Sequence, residues 1–335
     1  MSSDDDQVTN WSEVEDLLKK RERTSGRQSR IIDAEEMKLA LKARVKGQDH
    51  VIDDIAELIK KESAKTKRKR PIASLLFVGP TGTGKSELVK AMAEYLYGNE
   101  RNMREFLGPD LFNPESKARL IGVPVGFVGS KEGGQLTTPI INNPRQLVCF
   151  DEIEKAHRDV CNILLQLLGD GRLTEQGSGQ VADFTQTIVT LTSNAEARAI
   201  LEIDEQVEDD EERVNAIKSH LAQKGSVFTP ELMGRIDRVC VFRPLAGPIV
   251  ARIAAQKIVN LAREYSLDIE YIAPQLIVEV MEKGGKVEDF GIRALERTVN
   301  DMLGSAMVAA KEAGATRIRL DVDDENNLRI NPADA

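Results

Sequence analysis

The sequence is short of cysteine, of aromatic residues and of long apolar runs. Its three cysteines, Cys149, Cys161 and Cys240, have neither the spacing of a metal site nor that of a disulfide framework. No apolar stretch is long enough to span a bilayer, and no apolar signal segment follows the acidic start of the chain. These shortages argue against a secreted disulfide scaffold and against a membrane protein, and they predict a reducing, cytoplasmic environment.

An excess of positive charge is also missing. The chain has 46 Lys and Arg against 55 Asp and Glu, which gives a formal net charge of −9. Because nucleic acids bind to basic faces, this balance argues against a general nucleic-acid binder. One basic run occupies residues 65–70. A solvated connector is the simpler interpretation of this run, and a nucleic-acid patch is the alternative.

The 335 residues are enough for about two domains. We interpret residues 1–30 as a flexible polar N-terminal tail. Residues 31–243 alternate apolar strands with helical stretches, which predicts a large α/β domain with a parallel sheet flanked by helices. Residues 244–335 are expected to form a small, mostly helical C-terminal domain. Strands are predicted over 72–78, 103–107, 146–150, 187–192 and 239–242 and an edge strand over 316–322, with helices over 33–45, 49–61 and 245–310.

The tail contains the only tryptophan of the chain. Helical spacing would place Trp11, Val14 and Leu18 on one face. A transient helix in a frayed tail is the simpler interpretation, and a docking peptide is the alternative.

A glycine-rich turn lies between a predicted strand and a predicted helix. It reads Gly79-Pro80-Thr81-Gly82-Thr83-Gly84-Lys85-Ser86 and fits the pattern G-x-x-x-x-G-K-[ST]. The glycines let backbone N–H groups turn towards anionic oxygens, and the helix that follows adds its positive end. Lys85 is suited to the β- and γ-phosphates of a nucleotide, and Ser86 to Mg²⁺. The turn therefore predicts a phosphate-binding loop.

Two adjacent acids end a second apolar strand. Asp151 and Glu152 directly follow the apolar residues 147–150. The carboxyl ends of parallel strands form the edge at which open α/β sheets bind ligands. Asp151 can hold Mg²⁺, and Glu152 can polarise an attacking water as general base. The alternative is that Glu152 only opens a helix whose dipole favours acids.

Three further side chains and one loop are candidates for function. Asn194 follows another apolar strand and could orient the same water, although Ser-Asn after a strand is also ordinary turn chemistry. Arg235 and Arg293 could stabilise the negative charge of phosphoryl transfer, and a surface ion pair is the alternative for each. In the loop Gly126-Phe127-Val128-Gly129, the aromatic side chain is either tucked into the core or offered to a ligand.

In this order the motifs resemble those of Clp-type AAA+ unfoldases, specifically the C-terminal ATPase ring of the Clp B and Clp A proteins. The resemblance covers about residues 31–325. It rests on Val45-Lys46-Gly47-Gln48, Gly79–Ser86, Arg119-Leu120-Ile121-Gly122, Gly126-Phe127-Val128-Gly129, Glu132-Gly133-Gly134, Asp151–His157, Asn162–Gln166, Asp170–Thr174, Thr192-Ser193-Asn194 and Gly291-Ile292-Arg293.

The resemblance implies an AAA+ P-loop NTPase fold with a C-terminal lid domain, and ATP and Mg²⁺ as cofactors. Residues 79–86 would be the Walker A loop, and Asp151 and Glu152 the Walker B acids. Asn194 would be sensor 1, and Arg293 would be sensor 2, reaching over from the lid.

The resemblance also implies a hexameric homo-oligomer that acts on protein substrates. Arg235 would be the arginine finger that completes the site of a neighbouring copy. Phe127 would be the aromatic residue of a pore loop that grips extended polypeptide. Val45 and Lys46 would pack against the adenine.

Several positions depart from the family pattern. Lys46 stands where the family usually has an apolar residue, and Gly234 stands where it commonly has Asn. Residues 107–110 replace the family's Met-Ser-Glu-aromatic string. From the sequence we expect no Clp-type N-terminal domain, first ring or coiled-coil middle domain. Between residues 194 and 235 it has an acidic segment, residues 202–212, in place of the Ile-Gly-Phe or Ile-Gly-Leu loop, so we expect no docking to a Clp peptidase.

We therefore expect an ATP-hydrolysing hexameric protein unfoldase or remodelling motor, with a possible adaptor at the N-terminal tail. An AAA+ nucleic-acid motor or loader is the alternative, and residues 65–70 are its best support. A third possibility is a scaffold that uses ATP only to assemble, against which the intact pair Asp151 and Glu152 argues.

Overall fold

The computed structural model describes residues 32–223, 227–245, 247–284, 287–322 and 328–332. The side chains of residues 287–293, 328 and 332 are not among those described. The predicted tail at residues 1–30 and the side chain of Arg293 therefore lie outside the described part of the chain.

Helices and strands alternate along most of the described chain. The helices are α1 (Ala34–Arg44), α2 (Asp49–Ser63), α3 (Lys85–Tyr97), α4 (Ser116–Ile121), α5 (Thr137–Asn142), α6 (Arg158–Asp170), α7 (Ala197–Gln206), α8 (Asp210–Gln223), α9 (Pro230–Met233), α10 (Gly247–Glu264), α11 (Pro274–Lys283) and α12 (Val287–Glu312). The strands are β1 (Ala73–Val78), β2 (Met103–Leu107), β3 (Leu147–Asp151), β4 (Arg172–Thr174), β5 (Val181–Asp183), β6 (Ile188–Ser193), β7 (Arg238–Val241), β8 (Asp268–Ile272), β9 (Arg317–Val322) and β10 (Leu328–Pro332). Short 3₁₀ turns cover Glu100–Asn102, Gly108–Leu111 and Ile153–Lys155.

A five-stranded sheet forms the centre of the larger part of the chain. Its order is β2-β3-β6-β1-β7, and every neighbouring pair is parallel. This confirms the predicted α/β fold, and its five strands match the predicted ranges to within a residue or two at each end. The order places β3, β6 and β1 side by side in the middle of the sheet.

The central strands are apolar because both of their faces are covered. Successive side chains of a strand point to opposite faces. Leu75 and Phe77 accordingly pack in a cluster with α1, α2 and α3, and Leu76 and Val78 pack in a second cluster with α6. A strand buried on both sides needs apolar residues at every position, which is the pattern of β1 in the sequence.

The C-terminal part of the chain differs from the prediction in two places. A strand, β8, interrupts the helical region predicted over 245–310. The strand predicted at an edge, β9, lies in the middle of a three-stranded sheet, parallel to β8 and antiparallel to β10. Ile318 and Leu320 are buried and their neighbours point outwards. This alternation indicates that one face of the strand is buried. It does not indicate whether the strand has one neighbouring strand or two.

The C-terminal helices and strands have an apolar cluster of their own. It includes Leu261, Leu276, Leu303 and Ile318, and its buried members run from Leu245 to Leu320. The exact division of the chain into tail, large domain and lid stays a prediction. None of the described helices is both long and apolar enough to cross a bilayer.

Candidate active site

The parallel sheet brings most of the predicted site residues to one edge. The strands β3, β6 and β1 are neighbours, and their carboxyl ends lead into Asp151 and Glu152, Asn194, and the loop 79–86. Three segments that are far apart in sequence therefore meet at the edge where open α/β sheets bind ligands.

The loop 79–86 depends on backbone conformations that suit glycine. Gly79 has φ +139°, and a Cβ there would lie 2.3 Å from the carbonyl oxygen of Phe242. Gly84, with φ +100°, precedes α3 and provides no side-chain cap for the helix. The first N–H groups of α3 therefore face the loop, which is the arrangement that binds phosphate oxygens at a helix N-terminus.

Lys85 is held inside this loop. It is 7% exposed, and its Nζ donates hydrogen bonds to the carbonyl oxygens of Gly79 at 2.7 Å and Pro80 at 2.6 Å. Burial lowers the pKa of Lys85 to about 8, although the carboxylates of Asp151, Glu154 and Glu152 act in the opposite direction. A charged ammonium group at this position is costly until an anion comes near it.

Asp151 lies beside the start of α3. Its Oδ1 accepts a hydrogen bond from the hydroxyl of Thr192 and lies 3.5 Å from the Oγ of Ser86. The Thr192 hydroxyl oxygen in turn accepts from the backbone N–H of Glu152 at 3.0 Å. A carboxylate and a hydroxyl oxygen this close together are the hard donors that Mg²⁺ prefers, so Ser86 and Asp151 fit a magnesium ion.

Glu152 adopts an unusual backbone conformation, with φ 51° and ψ 47°. This left-handed region is uncommon for a residue with a side chain and is found disproportionately at functional sites. The carboxylate is held at both oxygens. Asn194 donates from Nδ2 to Oε1 at 3.2 Å, and Lys155 donates from Nζ to Oε2 at 2.6 Å.

Gly108 was not among the predicted site residues, but it contacts the site directly. A Cβ at Gly108 would lie 2.0 Å from the carbonyl oxygen of Glu152. Only glycine allows the 3₁₀ turn after β2 to pass this close to Glu152. The sequence feature that could have pointed to Gly108 is the Gly-Pro pair directly after a predicted strand. It lies in the segment, residues 107–110, that departs from the family pattern.

Asn194 connects the ends of β3 and β6. Besides the bond to Glu152, its backbone N–H donates to Oε1 of Glu154 at 3.1 Å. Its Oδ1 is buried and has no hydrogen-bond partner among the described residues. The side chain can therefore hold Glu152 and still accept a hydrogen bond from a third group.

Val45 and Lys46 lie next to the loop 79–86 but differ in what they do. Val45 is buried, and a Cβ at Gly84 would contact its Cγ1 at 3.4 Å. Lys46 turns away and donates from Nζ to the carbonyl oxygen of Lys42. Of the two predicted adenine-packing residues, Val45 is therefore the apolar wall nearest the loop.

Gln48 is a further residue that the sequence reasoning missed. It is fully buried, and its amide donates to the carbonyl oxygens of Thr83 at 3.1 Å and Arg243 at 2.8 Å. Its Oε1 accepts from the N–H of Arg243 at 3.2 Å. Gln48 thereby connects the loop 79–86 to the segment after β7, and the sequence feature that could have pointed to it is the string Val-Lys-Gly-Gln.

Arg235 lies at the opposite edge of the sheet. Its carbonyl oxygen accepts a hydrogen bond from the hydroxyl of Ser74, near the amino end of β1. Gly79 follows the other end of that strand, about 16 Å away at ~3.3 Å per residue. The guanidinium lies over Gly169, where a Cβ would meet it. The structure therefore does not bring Arg235 together with the loop 79–86 of its own chain.

The loop around Phe127 points into solvent. Phe127 is 67% exposed, and Val125 and Val128 are more exposed still. Gly126 and Gly129 both have positive φ, and nothing lies within 4 Å of a Cβ placed on Gly126. Of the two placements left open for Phe127, the structure shows an exposed side chain and not one tucked into the core.

Glu175 holds the base of this loop. It is 3% exposed, and its carboxylate accepts hydrogen bonds from the backbone N–H groups of Gly177 and Ser178 in the β4–β5 turn. These bonds lower the pKa of Glu175 although burial acts against them. A Cβ at Gly122 would lie 2.0 Å from the same carboxylate, so the loop stem packs directly on it.

Two arginines of the basic run 65–70 are used inside the fold. Arg68 donates to the carbonyl oxygens of Glu62 and Ser63 at the end of α2. Arg70 donates to the carbonyl oxygens of Leu168 and Arg235. These contacts support the interpretation of the run as a connector.

Comparison with known proteins gives one family and many relatives. Residues 70–239 match the AAA domain (Cdc48 subfamily). The chain is 36% identical over 310 residues to the chaperone protein ClpB of Rhodopirellula baltica, across 88% of this chain and 34% of that protein. It is 38% identical over 268 residues to the mitochondrial chaperone protein ClpB4 of Arabidopsis thaliana, across 78% of this chain and 27% of that protein. The chain spans about a third of the length of such relatives.

Proposed function

This chain belongs to the AAA domain family (Cdc48 subfamily) as a Clp-type AAA+ ATPase module, and from that premise we propose that it is a hexameric motor that threads polypeptide through a central pore. The observation that carries the proposal is the exposed apolar loop at residues 125–128 on an ATPase module. Apolar side chains exposed at a loop tip do not contribute to the core of the fold. Exposed apolar surface of this kind marks a site of interaction, and here it is suited to binding an unfolded polypeptide.

The residues at the carboxyl edge of the sheet would bind the nucleotide. The loop 79–86 would surround the phosphates, Lys85 would meet their charge, and Val45 would lie against the base. Ser86 and Asp151 would hold Mg²⁺, which supplies charge neutralisation at the phosphates when bound.

Glu152 is proposed as the general base of ATP hydrolysis. Asn194 orients the carboxylate by its bond to Oε1, and Asn194 Oδ1 can accept a hydrogen bond from the attacking water. Lys155 holds Oε2, so the carboxylate has a defined orientation before it acts. Together these contacts supply positioning, which with electrostatic stabilisation accounts for the catalysis of phosphoryl transfer.

The position of Arg235 supports assembly into a ring. It lies about 16 Å along β1 from the phosphate loop of its own chain, given ~3.3 Å per residue, and so cannot serve that site. The arginine is free to complete the site of a neighbouring copy if copies associate head to tail and close by rotation. Arg293 is proposed to reach the nucleotide from the lid, as sensor 2.

Four finer points of the proposal rest on sequence and burial. We propose that no Clp peptidase docks, since the interval from residue 194 to residue 235 contains no Ile-Gly-Phe or Ile-Gly-Leu tripeptide. A protein substrate is proposed to arrive at the pore loop directly or through an adaptor at residues 1–30. A reducing cytoplasmic location is supported by three cysteines that are all buried as free thiols.

A nucleic-acid motor is less well supported, because Arg68 and Arg70 are bound to carbonyl oxygens of the fold.

The test is assembly and substrate capture by a variant that binds ATP without hydrolysing it. The Glu152→Gln protein is mixed with saturating ATP and a permanently unfolded, fluorescently labelled protein. Analytical ultracentrifugation is expected to show hexamers with the label bound. A lone subunit at saturating ATP would contradict the ring, and a hexamer that does not hold the unfolded protein would contradict the threading.

A further inference from the structure

A cavity of about 410 Å³ lies at the amino-terminal edge of the central sheet. Its walls include Ile72, just before β1, Ile188 at the start of β6, and Arg145, shortly before β3. Because these strands are parallel, this edge is opposite to the one that carries Asp151 and Asn194. The cavity is therefore separate from the candidate active site, and nothing in the proposed function uses it.

The cavity wall combines apolar surface with positive charge. Leu96 and Tyr97, at the end of α3, form part of its apolar side. Lys65, Arg68 and Arg145 bring three cationic side chains to the wall, and no carboxylate among the described residues lines it. Glu62 pairs with Lys65 from outside the wall. The surface is complementary to an acidic ligand with apolar groups.

Ser63 adds an unsatisfied polar group. It lines the cavity and is 6% exposed, and its Oγ has no hydrogen-bond partner among the described residues. A buried hydroxyl left without a partner destabilises the fold. A ligand with a polar atom in the cavity would remove this cost.

The chain itself contains a segment of matching chemistry. Residues 1–18 carry six acidic side chains and no Lys or Arg, together with Trp11, Val14 and Leu18. The described chain starts at Ile32, which is itself part of the cavity wall. Residues 19–31 can span about 45 Å when extended, at ~3.5 Å per residue. The acidic segment is therefore long enough and close enough to enter the cavity.

We propose that residues 4–18 of the same chain bind in this cavity. The acidic side chains meet Lys65 and the positive charge of the cavity wall, and the apolar side chains, with Trp11 among them, cover its apolar part. The sequence allows two interpretations of the tail, a frayed segment and a docking peptide. The proposal takes the second, and the tail docks on its own chain.

Trp11 makes the test direct, because it is the only tryptophan of the protein. In the full-length protein we expect its emission at shorter wavelength than in a synthetic peptide of residues 1–18, with weaker quenching by acrylamide. The Lys65→Glu variant should move both readouts towards those of the free peptide. The matched control is Lys67→Glu, the same charge reversal two residues away at a side chain outside the cavity wall, and it should leave both readouts unchanged.

A competitor peptide tests the site itself. A peptide of residues 1–18 with Trp11→Phe is invisible in this measurement and should displace the intrinsic segment, which shifts the emission of Trp11 to longer wavelength. A scrambled peptide of the same composition should not. The proposal is overturned if Trp11 behaves as in the free peptide, if Lys65→Glu has no effect, or if the scrambled peptide competes equally. A shift that appears only at high protein concentration would place the segment in another copy and overturn the same-chain assignment.

Discussion

Asn194 donates a hydrogen bond from Nδ2 to Oε1 of Glu152 over 3.2 Å, and this contact joins the ends of two neighbouring strands. Lys155 holds the other carboxylate oxygen at 2.6 Å. The proposed base is thereby oriented by groups from two elements, on a backbone in the left-handed region. Rotation of this carboxylate requires at least one of the two bonds to break.

The first prediction concerns Glu152. Glu152→Gln keeps the shape of the side chain and removes its capacity to accept a proton, so nucleotide binding should persist while turnover falls by ~10²–10⁴-fold. Steady-state ATPase and fluorescent-nucleotide titration measure the two effects separately. Glu154→Gln is the control, because a Gln oxygen can still accept from the N–H of Asn194. If Glu152→Gln hydrolysed ATP at the normal rate, the proposed role of Glu152 would be wrong.

The second prediction concerns Arg235 and its position far from the phosphate loop of its own chain. Arg235→Ala should lower ATP turnover by ~10³-fold if the guanidinium stabilises the transition state at a neighbour's site. The control is Arg238→Ala, which removes an exposed arginine that pairs with Asp54 at 3.0 Å and should cost little turnover.

Mixed rings separate a residue that acts across the interface from one that acts within its own subunit. Arg235→Ala and Glu152→Gln subunits are each expected to be inactive alone. In a mixture, some interfaces combine the intact Glu152 of one subunit with the intact Arg235 of the next, so ATPase activity should reappear. Failure of every mixing ratio to restore turnover would speak against action in trans.

The third prediction concerns Phe127. Phe127→Ala should leave ATPase turnover close to normal, because the side chain is exposed and lies outside the nucleotide site. Unfolding of a tagged fluorescent protein should be lost. Phe112 is 65% exposed and lies outside this loop, so Phe112→Ala is the matched control. Normal unfolding by Phe127→Ala would remove Phe127 from the pore.

The fourth prediction concerns Gly108. An added methyl group 2.0 Å from the carbonyl oxygen of Glu152 must displace backbone. We expect Gly108→Ala to lower the free energy of unfolding by about 1–3 kcal/mol and to reduce ATPase turnover, since Glu152 moves with its backbone. Gly247→Ala meets nothing within 4 Å and should stay within about 0.5 kcal/mol of the parent. Denaturant unfolding measures both, and equal stability of the two variants would contradict the steric argument.

The central sheet and the position of the glycine-rich loop 79–86 could be predicted because their determinants are local. A strand buried on both faces must be apolar throughout, and this loop has glycines where its backbone takes a positive φ. Gln48 and Gly108 could not be found in this way. Their roles arise from partners far along the chain, the Arg243 segment and the Glu152 carbonyl, which only the folded topology brings near.

The exposure of the Phe127 side chain could not be predicted from the sequence either. Glycines on both sides of Phe127 predict a loop but do not decide which way its side chain points. The stem of the loop passes close to Glu175, about fifty residues further on, at Gly122, and a contact of this kind cannot be read from the local sequence. The edge prediction for β9 failed for a related reason, because alternation in one strand does not reveal its neighbours.

The last prediction concerns the pH dependence of nucleotide binding through Lys85. Burial lowers the pKa of this side chain to about 8, from an ordinary value near 10.5. Above pH ~8 the folded protein therefore holds Lys85 neutral while the unfolded chain keeps it charged. The unfolded state then binds more protons, and the contribution of Lys85 to stability rises with pH between about 8 and 10.5.

Phosphate reverses this preference because it favours the ammonium form. Binding above pH ~8 must take up a proton, so the affinity for nucleotide should fall by up to about tenfold per pH unit in this range. Isothermal titration in buffers of different ionisation enthalpy should show proton uptake that grows from about pH 7 to about pH 9. Lys85→Arg keeps its charge throughout this range and should show a flatter profile, even if its affinity is lower at every pH. If both proteins lost affinity along the same slope and with the same proton uptake, another group would be responsible and Lys85 would be charged throughout.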